Sequence, residues 1–269
     1  MDVGETRTEE DYLFDSGSDL GAEHVGHLES LLDDPTTRWL EGTGIGPGHH
    51  CLEIGAGSGS IARWLAERVV PGGRVVATDV ATEQIARHPG VEIHRGDITE
   101  GVPPGGPFDL IHARLVLTHL PQRERVLTEL VRALAPGGWL VLGELTPRPP
   151  RVLAAPRSSD RELFERMQHL SMDVVSPAGG ISFQWGAEVP DRMAREGLEE
   201  VRATEWSRTN VGGDHGCLLH RNLNLQADAP LRAAGATEEE LARYRELMLD
   251  PGFTAWFYQF VCTRGRRPV

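Results

Sequence analysis

Leu52-Glu53-Ile54-Gly55-Ala56-Gly57-Ser58-Gly59 is the stretch on which the fold turns. A short apolar run passes into three glycines and then into SIARWLAERV (60–69), where Ile61, Leu65 and Val69 share one helical face. This pattern predicts a buried strand, a tight turn and a helix. Glycines let the backbone pass close to a ligand, and the start of a helix offers free N–H groups. Downstream, PGG (71–73) stops the helix, RVVATDV reads as a second buried strand and ATEQIARHP as a short helix. VEIHRGD and FDLIHARL read as strands, RERVLTELVRALA as a helix, and WLVLGEL, after PGG (136–138), as a fifth strand. Strands alternating with helices over residues 50–145 predict an α/β fold with a parallel sheet covered on both faces.

Upstream, Val25, Leu28, Leu31 and Leu32 repeat at helical spacing, and Pro35 is read as opening a second short helix that ends at Leu40. Beyond Pro147, Pro149 and Pro150 the pattern is less regular. Residues 159–175 and 185–196 read as helical, LEEVRATEWS as a strand, and TEEELARYRELM as a helix capped by Thr237 with Glu240 three residues on. AWFYQFVCTRG reads as one last strand. The organisation expected is an acidic arm with helices (1–40), a core (41–150) and a cap with the last two strands of the sheet (151–269).

Composition removes several classes of function. The 269 residues carry 27 Lys plus Arg against 40 Asp plus Glu, a net charge of -13. This argues against a phosphate backbone as main partner. Eleven of the acids and a single base fall in residues 1–34, so the rest of the chain is nearly balanced. That arm reads as solvated, or as a lid anchored by Tyr12, Leu13 and Phe14. No run approaches the roughly 18 apolar residues of a membrane helix. The polar N-terminus reads as neither signal nor transit peptide. Cys51, Cys217 and Cys262 are too scattered for a zinc site or a disulfide framework and suit a reducing cytoplasm. The expectation is a cytoplasmic protein without metal, membrane or nucleic-acid partner.

Two further carboxylates end predicted strands. Asp79 follows Gly57 by twenty-two residues, where an acid can accept two ribose hydroxyls, with Val80 beside it. Asp97-Ile98 follows the third strand, suiting an adenine: the acid takes the exocyclic amine and the isoleucine packs on the ring. A dinucleotide fingerprint would want a glycine where Ser60 stands, and would avoid an acid such as Glu53 beside its phosphate loop. Glu53 suits a ligand with a cationic amino group and no phosphate.

These motifs resemble those of class I S-adenosylmethionine-dependent methyltransferases. LEIGAGSG looks like the first motif, TDV (78–80) the acidic second, and GDI (96–98) the adenine motif. FDLIHARLVLTHLP is similar to the fourth-strand motif, and LVRALAPGGWLVLGE to the PGG turn with the fifth strand. The resemblance covers about residues 45–145. The flanks look like those of bacterial small-molecule and natural-product methyltransferases. It implies a doubly wound, Rossmann-like seven-stranded sheet with an antiparallel last strand and a helical cap. It further implies S-adenosylmethionine as cofactor, with Gly55, Ala56, Gly57 and Gly59 lining it. Asp79 would hold the ribose, Asp97 and Ile98 the adenine, and Glu53, Ala113 and Arg114 would flank the methionine end.

His119, in the THLP turn, falls where the family faces the donor methyl, and reads as a catalytic base or substrate contact, or else as a turn cap or surface residue. Glu144 ends the fifth strand at the same rim and is a candidate substrate contact, as is Tyr12. Arg114 binds the cofactor carboxylate or pairs with an acid. His112 reads as structural, His49-His50 as surface, and His215 and His220 as a solvated loop. Phe183, Trp185, Trp206, Trp256, Phe257 and Tyr258 read mostly as core, some as an apolar substrate wall. The expected activity is methyl transfer to a small molecule, first at oxygen, and a homodimer is admitted. The rivals are a peptide or protein methyltransferase, a non-methylating enzyme on the same fold, and a nicotinamide-dependent oxidoreductase.

Overall fold

The computed structural model describes residues 18–257 and 259–269, so the expected anchor at Tyr12-Leu13-Phe14 and the side chain of Tyr258 lie outside it. In chain order the elements are α1 (Asp19–Glu41), β1 (His50–Ile54), α2 (Ser60–Val69), β2 (Arg74–Asp79), β3 (Val91–Arg95), β4 (Phe108–Arg114), a 3-10 turn (Leu117–His119), α3 (Arg123–Ala133) and β5 (Leu134–Leu145). There follow β6 (Arg151–Ala154), α4 (Ser158–His169), a π-helical turn (Leu170–Val175), α5 (Ser176–Ala178), α6 (Gln184–Arg195), β7 (Glu199–Trp206) and β8 (Thr209–Val211). The chain ends with α7 (His215–Gln226), α8 (Asp228–Ala233), α9 (Glu238–Leu247), β9 (Thr254–Trp256) and β10 (Phe260–Arg266). Two compact units result. One takes Leu32–Arg148, Gly180–Ser207 and the C-terminal strand; the other takes the described residues 18–31, Pro149–Gly179 and Arg208–Phe257.

The larger unit is built on a seven-stranded sheet of order β3-β2-β1-β4-β5-β10-β7. The first five strands run parallel, and β10 is antiparallel to both β5 and β7. The order reverses at β1, so helices cover both faces. Strand alternation divides the side chains: Leu52, Ile54, Ile111, Leu140 and Leu142 pack with Val126 and Leu130 of α3 and Trp185 of α6. Cys51, Val75, Leu110 and Val141 point the other way, against Leu65 of α2 and Leu40 of α1. Gly186 lets α6 approach the end of β5, since a Cβ there would stand 2.2 Å from the Leu145 carbonyl oxygen.

The smaller unit joins α4, α5 and α7–α9 to a three-stranded sheet of order β6-β9-β8. Phe164, Tyr244, Phe253 and Phe257 form its centre. Arg243 grips buried Asp160 through two hydrogen bonds of 2.9 Å each. The Thr237/Glu240 capping box forms at the start of α9.

Five local readings are corrected. Pro35 sits inside one continuous helix, because Leu31, Leu32 and Leu40 are all buried along it. That burial outweighs the single hydrogen bond a proline forfeits. Residues 80–90 form turns, not a helix: Pro89 disfavours helical backbone at His88, and Ala86 N–H donates instead to the Ser58 carbonyl at 3.0 Å. AWFYQFV divides between two sheets, with β9 in the small one and β10 in the large one. Trp256 is 42% exposed rather than core; its indole lies beneath the Arg151 guanidinium and donates to Thr209 Oγ1. His220 is buried on α7 and stacked on Phe257 at 3.9 Å between ring centroids, not in a solvated loop. Burial lowers its pKa to about 3.

Candidate active site

Parallel pairing brings the C-terminal ends of β1 to β5 to one edge of the sheet, where such folds bind ligands. The chain leaves β1 through Gly55, Gly57 and Gly59, all with positive φ (65°, 57° and 88°). At Gly55 even a Cβ is excluded, because it would stand 2.3 Å from Val116 Cγ2. The loop is fastened to β2: Gly55 and Ala56 N–H donate to the Thr78 carbonyl (2.9 and 3.2 Å), and Gly57 N–H donates to Asp79 Oδ2 at 2.9 Å. Ala81 N–H donates to Asp79 Oδ1 at 3.1 Å. Burial raises the Asp79 pKa, while the N–H groups of Gly57, Ala81 and Val80 oppose the rise. Beside it, the Val80 side chain is 39% exposed. Gly96 N–H donates to the Asp79 carbonyl at 3.0 Å, drawing in the end of β3. There Asp97 Oδ1 accepts Thr99 N–H at 2.8 Å, and Ile98 is buried.

The fourth strand supplies three residues of different standing. His112 lies beside Glu53 in the β1–β4 register, with Nδ1 2.7 Å from Glu53 Oε2. Ala113 faces the opposite way into the apolar core, so only its backbone remains to meet a ligand. Arg114 pairs with an acid: it donates to Asp33 Oδ1 at 2.8 Å and approaches Thr36 Oγ1 at 3.4 Å. Ser60 Oγ donates to the same Asp33 oxygen at 3.2 Å. Sequence reasoning counted Asp33 with the acidic arm. Its partners lie 27 and 81 residues away, and no local signal announces them.

After β4, Leu115 adopts a positive φ of 56° and leads into the 3-10 turn that carries His119. A bulky residue in this region is strained, at a cost of roughly 1–2 kcal/mol. The turn is stitched to the segment before α6: Ser182 N–H donates to the Thr118 carbonyl, and Thr118 Oγ1 donates to the Ser182 carbonyl, each at 2.9 Å. His119 is half-buried at the end of this turn. Glu144 does end β5 here, but it is 1% exposed and packs beneath the turn rather than opening to a substrate, which corrects its reading as a rim contact. Desolvation raises its pKa from an ordinary 4.5 to about 8, against the N–H groups of Thr118 and Leu117, the Arg123 charge and the Trp185 indole. None of these closes good geometry: both carboxyl oxygens and Trp185 Nε1 lack a hydrogen-bond partner among the described residues.

Residues 52–142 match a family described as a methyltransferase domain. The methyltransferase str3 of Strobilurus tenacellus is 34% identical over 128 residues, 47% of this chain and 44% of that protein. The chain spans about half the length of the curated relatives it matches. Two solved structures share the fold. Phosphoethanolamine N-methyltransferase 2 of Haemonchus contortus, in complex with S-adenosyl-L-methionine, has a TM-score of 0.61 at 13% identity over 98% of this chain and 61% of that one. The [4+2]-cyclase SpnF has 0.53 at 18% identity over 88% and 82%.

S-adenosylmethionine, the cofactor of this family, suits the donor and acceptor set at the sheet edge. Asp79 Oδ2 accepts Gly57 N–H and Oδ1 accepts Ala81 N–H, and a carboxylate has further lone pairs for a ribose hydroxyl. Asp97 Oδ2 accepts nothing among the described residues, leaving an acceptor for an exocyclic amine. The loop 55–60 carries no basic side chain, so nothing in it neutralises a phosphate. Among the described residues no helix is long and apolar enough to cross a membrane. Nor does any group of three His, Cys, Asp or Glu suit a metal.

The raised pKa of Glu144 has a thermodynamic consequence. The folded state holds a proton that the unfolded chain has released, so stability is whole below about 4.5 and drains as the pH rises through about 8. Glu144→Gln removes this loss. Its melting temperature should match the wild type near pH 4.5 and exceed it by several degrees at pH 8.5, a gap on the order of 3–5 kcal/mol. Thermal melts across that range check it, and a gap that does not change with pH would contradict it.

Proposed function

From the membership of residues 52–142 in the methyltransferase domain family, we propose that this chain is an S-adenosylmethionine-dependent methyltransferase acting on a small molecule, with oxygen as the accepting atom. The observation that carries the reading is the meeting of Glu53, the Gly55–Gly59 loop, Asp79 and Asp97 at the C-terminal ends of three adjacent parallel strands. When bound, the cofactor supplies an activated methyl group on a sulfonium sulfur. The chain supplies the rest: Asp79 accepts the ribose hydroxyls, Asp97 accepts the exocyclic amine, and Ile98 packs on the ring. Glu53 attracts the ammonium group. Orientation of the two reactants is the main contribution asked of such a protein.

His119 is the base in this reading. It closes the turn after β4, and histidine is the side chain whose ordinary pKa best suits removing a hydroxyl proton near neutral pH. The small acceptor fits a chain of net charge -13, which is ill suited to a nucleic acid. One observation favours a second reading: the fold is shared with the [4+2]-cyclase SpnF, so a non-methylating reaction that keeps the cofactor is the alternative.

Two outcomes follow. Asp79→Ala removes the acceptor of both ribose hydroxyls and should weaken S-adenosylmethionine by about 30-fold or more by calorimetry, an effect on the order of 2–4 kcal/mol. Asp79→Asn, which keeps the size of the side chain, should fall in between; unchanged affinity in both variants would place the ribose elsewhere. His119→Ala should lower turnover at least ~100-fold with cofactor affinity nearly intact. Loss of affinity and melting temperature with turnover preserved would make His119 a cap of the turn. Retained cofactor binding without methyl transfer to any acceptor would favour the alternative reading.

A further inference from the structure

The buried pair Glu53–His112 is an expensive feature. The side chains are 3% and 1% exposed and lie side by side on adjacent parallel strands, Nδ1 to Oε2 at 2.7 Å. The face they share is apolar toward the strand starts, with Cys51, Leu110 and Val141 in one cluster with Leu40 and Leu65, and polar only toward the strand ends, where Arg114 pairs with Asp33. In such surroundings, replacing a buried ionisable pair by apolar residues of similar volume is often neutral or stabilising. Stability alone therefore does not account for it. Nor is the pair satisfied, since His112 Nε2 is buried without a hydrogen-bond partner among the described residues.

Geometry supplies a role. The hydrogen bond between Glu53 Oε2 and His112 Nδ1 ties the two side chains together across the β1–β4 seam. The imidazole, set beside Glu53 by the β1–β4 register and bonded to it, holds the carboxylate in one orientation. Oε1 accepts no hydrogen bond among the described residues. Glu53 stands two residues before Gly55, at the mouth of the glycine loop. A carboxylate held by one oxygen presents the other in a fixed direction, which matters for a ligand group recognised by charge and hydrogen bonding together.

We infer that His112 is a positioning residue: it aims Glu53 at the ammonium group of the bound nucleoside's amino-acid end and so selects for ligands that carry that end. The inference rests on the proposed cofactor reading. It assigns no direct ligand contact to His112, and it separates recognition of the amino-acid end from recognition of the ribose by Asp79.

The test uses two probes on the full chain: S-adenosylmethionine, and 5′-deoxy-5′-methylthioadenosine, which has the same nucleoside without the amino-acid end. His112→Leu replaces the imidazole by an apolar group of similar size, and His112→Asn keeps an N–H near the Nδ1 position. By calorimetry, His112→Leu should weaken S-adenosylmethionine at least tenfold and methylthioadenosine by less than about twofold. His112→Asn should recover most of the loss. In a Glu53→Gln background His112→Leu should cost no further discrimination, and its melting temperature should not fall below that of Glu53→Gln alone. Parallel weakening of both probes in His112→Leu and His112→Asn, or no change in either, would overturn the inference while leaving the cofactor reading standing. Failure of the wild type to bind either nucleoside would instead overturn the cofactor reading, and the inference with it.

Discussion

The hydrogen bond from Gly57 N–H to Asp79 Oδ2 ties together two ends of the sheet that lie twenty-two residues apart in sequence. It requires a loop that can turn its N–H groups toward β2, and hence glycines with positive φ at 55, 57 and 59. It also requires an acid at the last position of β2, partly desolvated and still polar enough to accept. Once this contact is made, Gly96 N–H can reach the Asp79 carbonyl and Ala86 N–H the Ser58 carbonyl. The edge of the sheet then becomes a row of acceptors with glycine backbone beside it. The remaining parts of the site, from Asp97 to the turn carrying His119, are placed by the same parallel register.

Much of this was legible in the sequence, because it is local. SIARWLAERV becomes α2 without a residue's shift, and the strands expected around Glu53, Asp79 and His112 are present. Thr237 and Glu240 form their capping box because both partners lie within one helical turn. The acids that end β1 and β2 were visible as chemistry for the same reason: strand, turn and carboxylate follow each other directly.

The parts left open or misread depend on distant partners. Whether Arg114 meets an acid is decided by Asp33, 81 residues earlier. His112 reads as a structural histidine in isolation, and only the β1–β4 register sets it against Glu53. Glu144 has the right position for a rim residue, yet the packing of Trp185 and the 117–119 turn seals it. Trp256 and Phe260 belong to one apolar stretch, and nothing local says that the chain changes sheet between them.

The central claim is that the carboxylates at this sheet edge recognise a nucleoside that bears an amino-acid end and no phosphate. Parallel calorimetric titrations of the wild-type chain with S-adenosylmethionine and with oxidised nicotinamide adenine dinucleotide test it most directly. The account predicts saturable one-to-one binding of the first and no measurable heat from the second. Binding of the dinucleotide, with S-adenosylmethionine inert at the same concentrations, would contradict it.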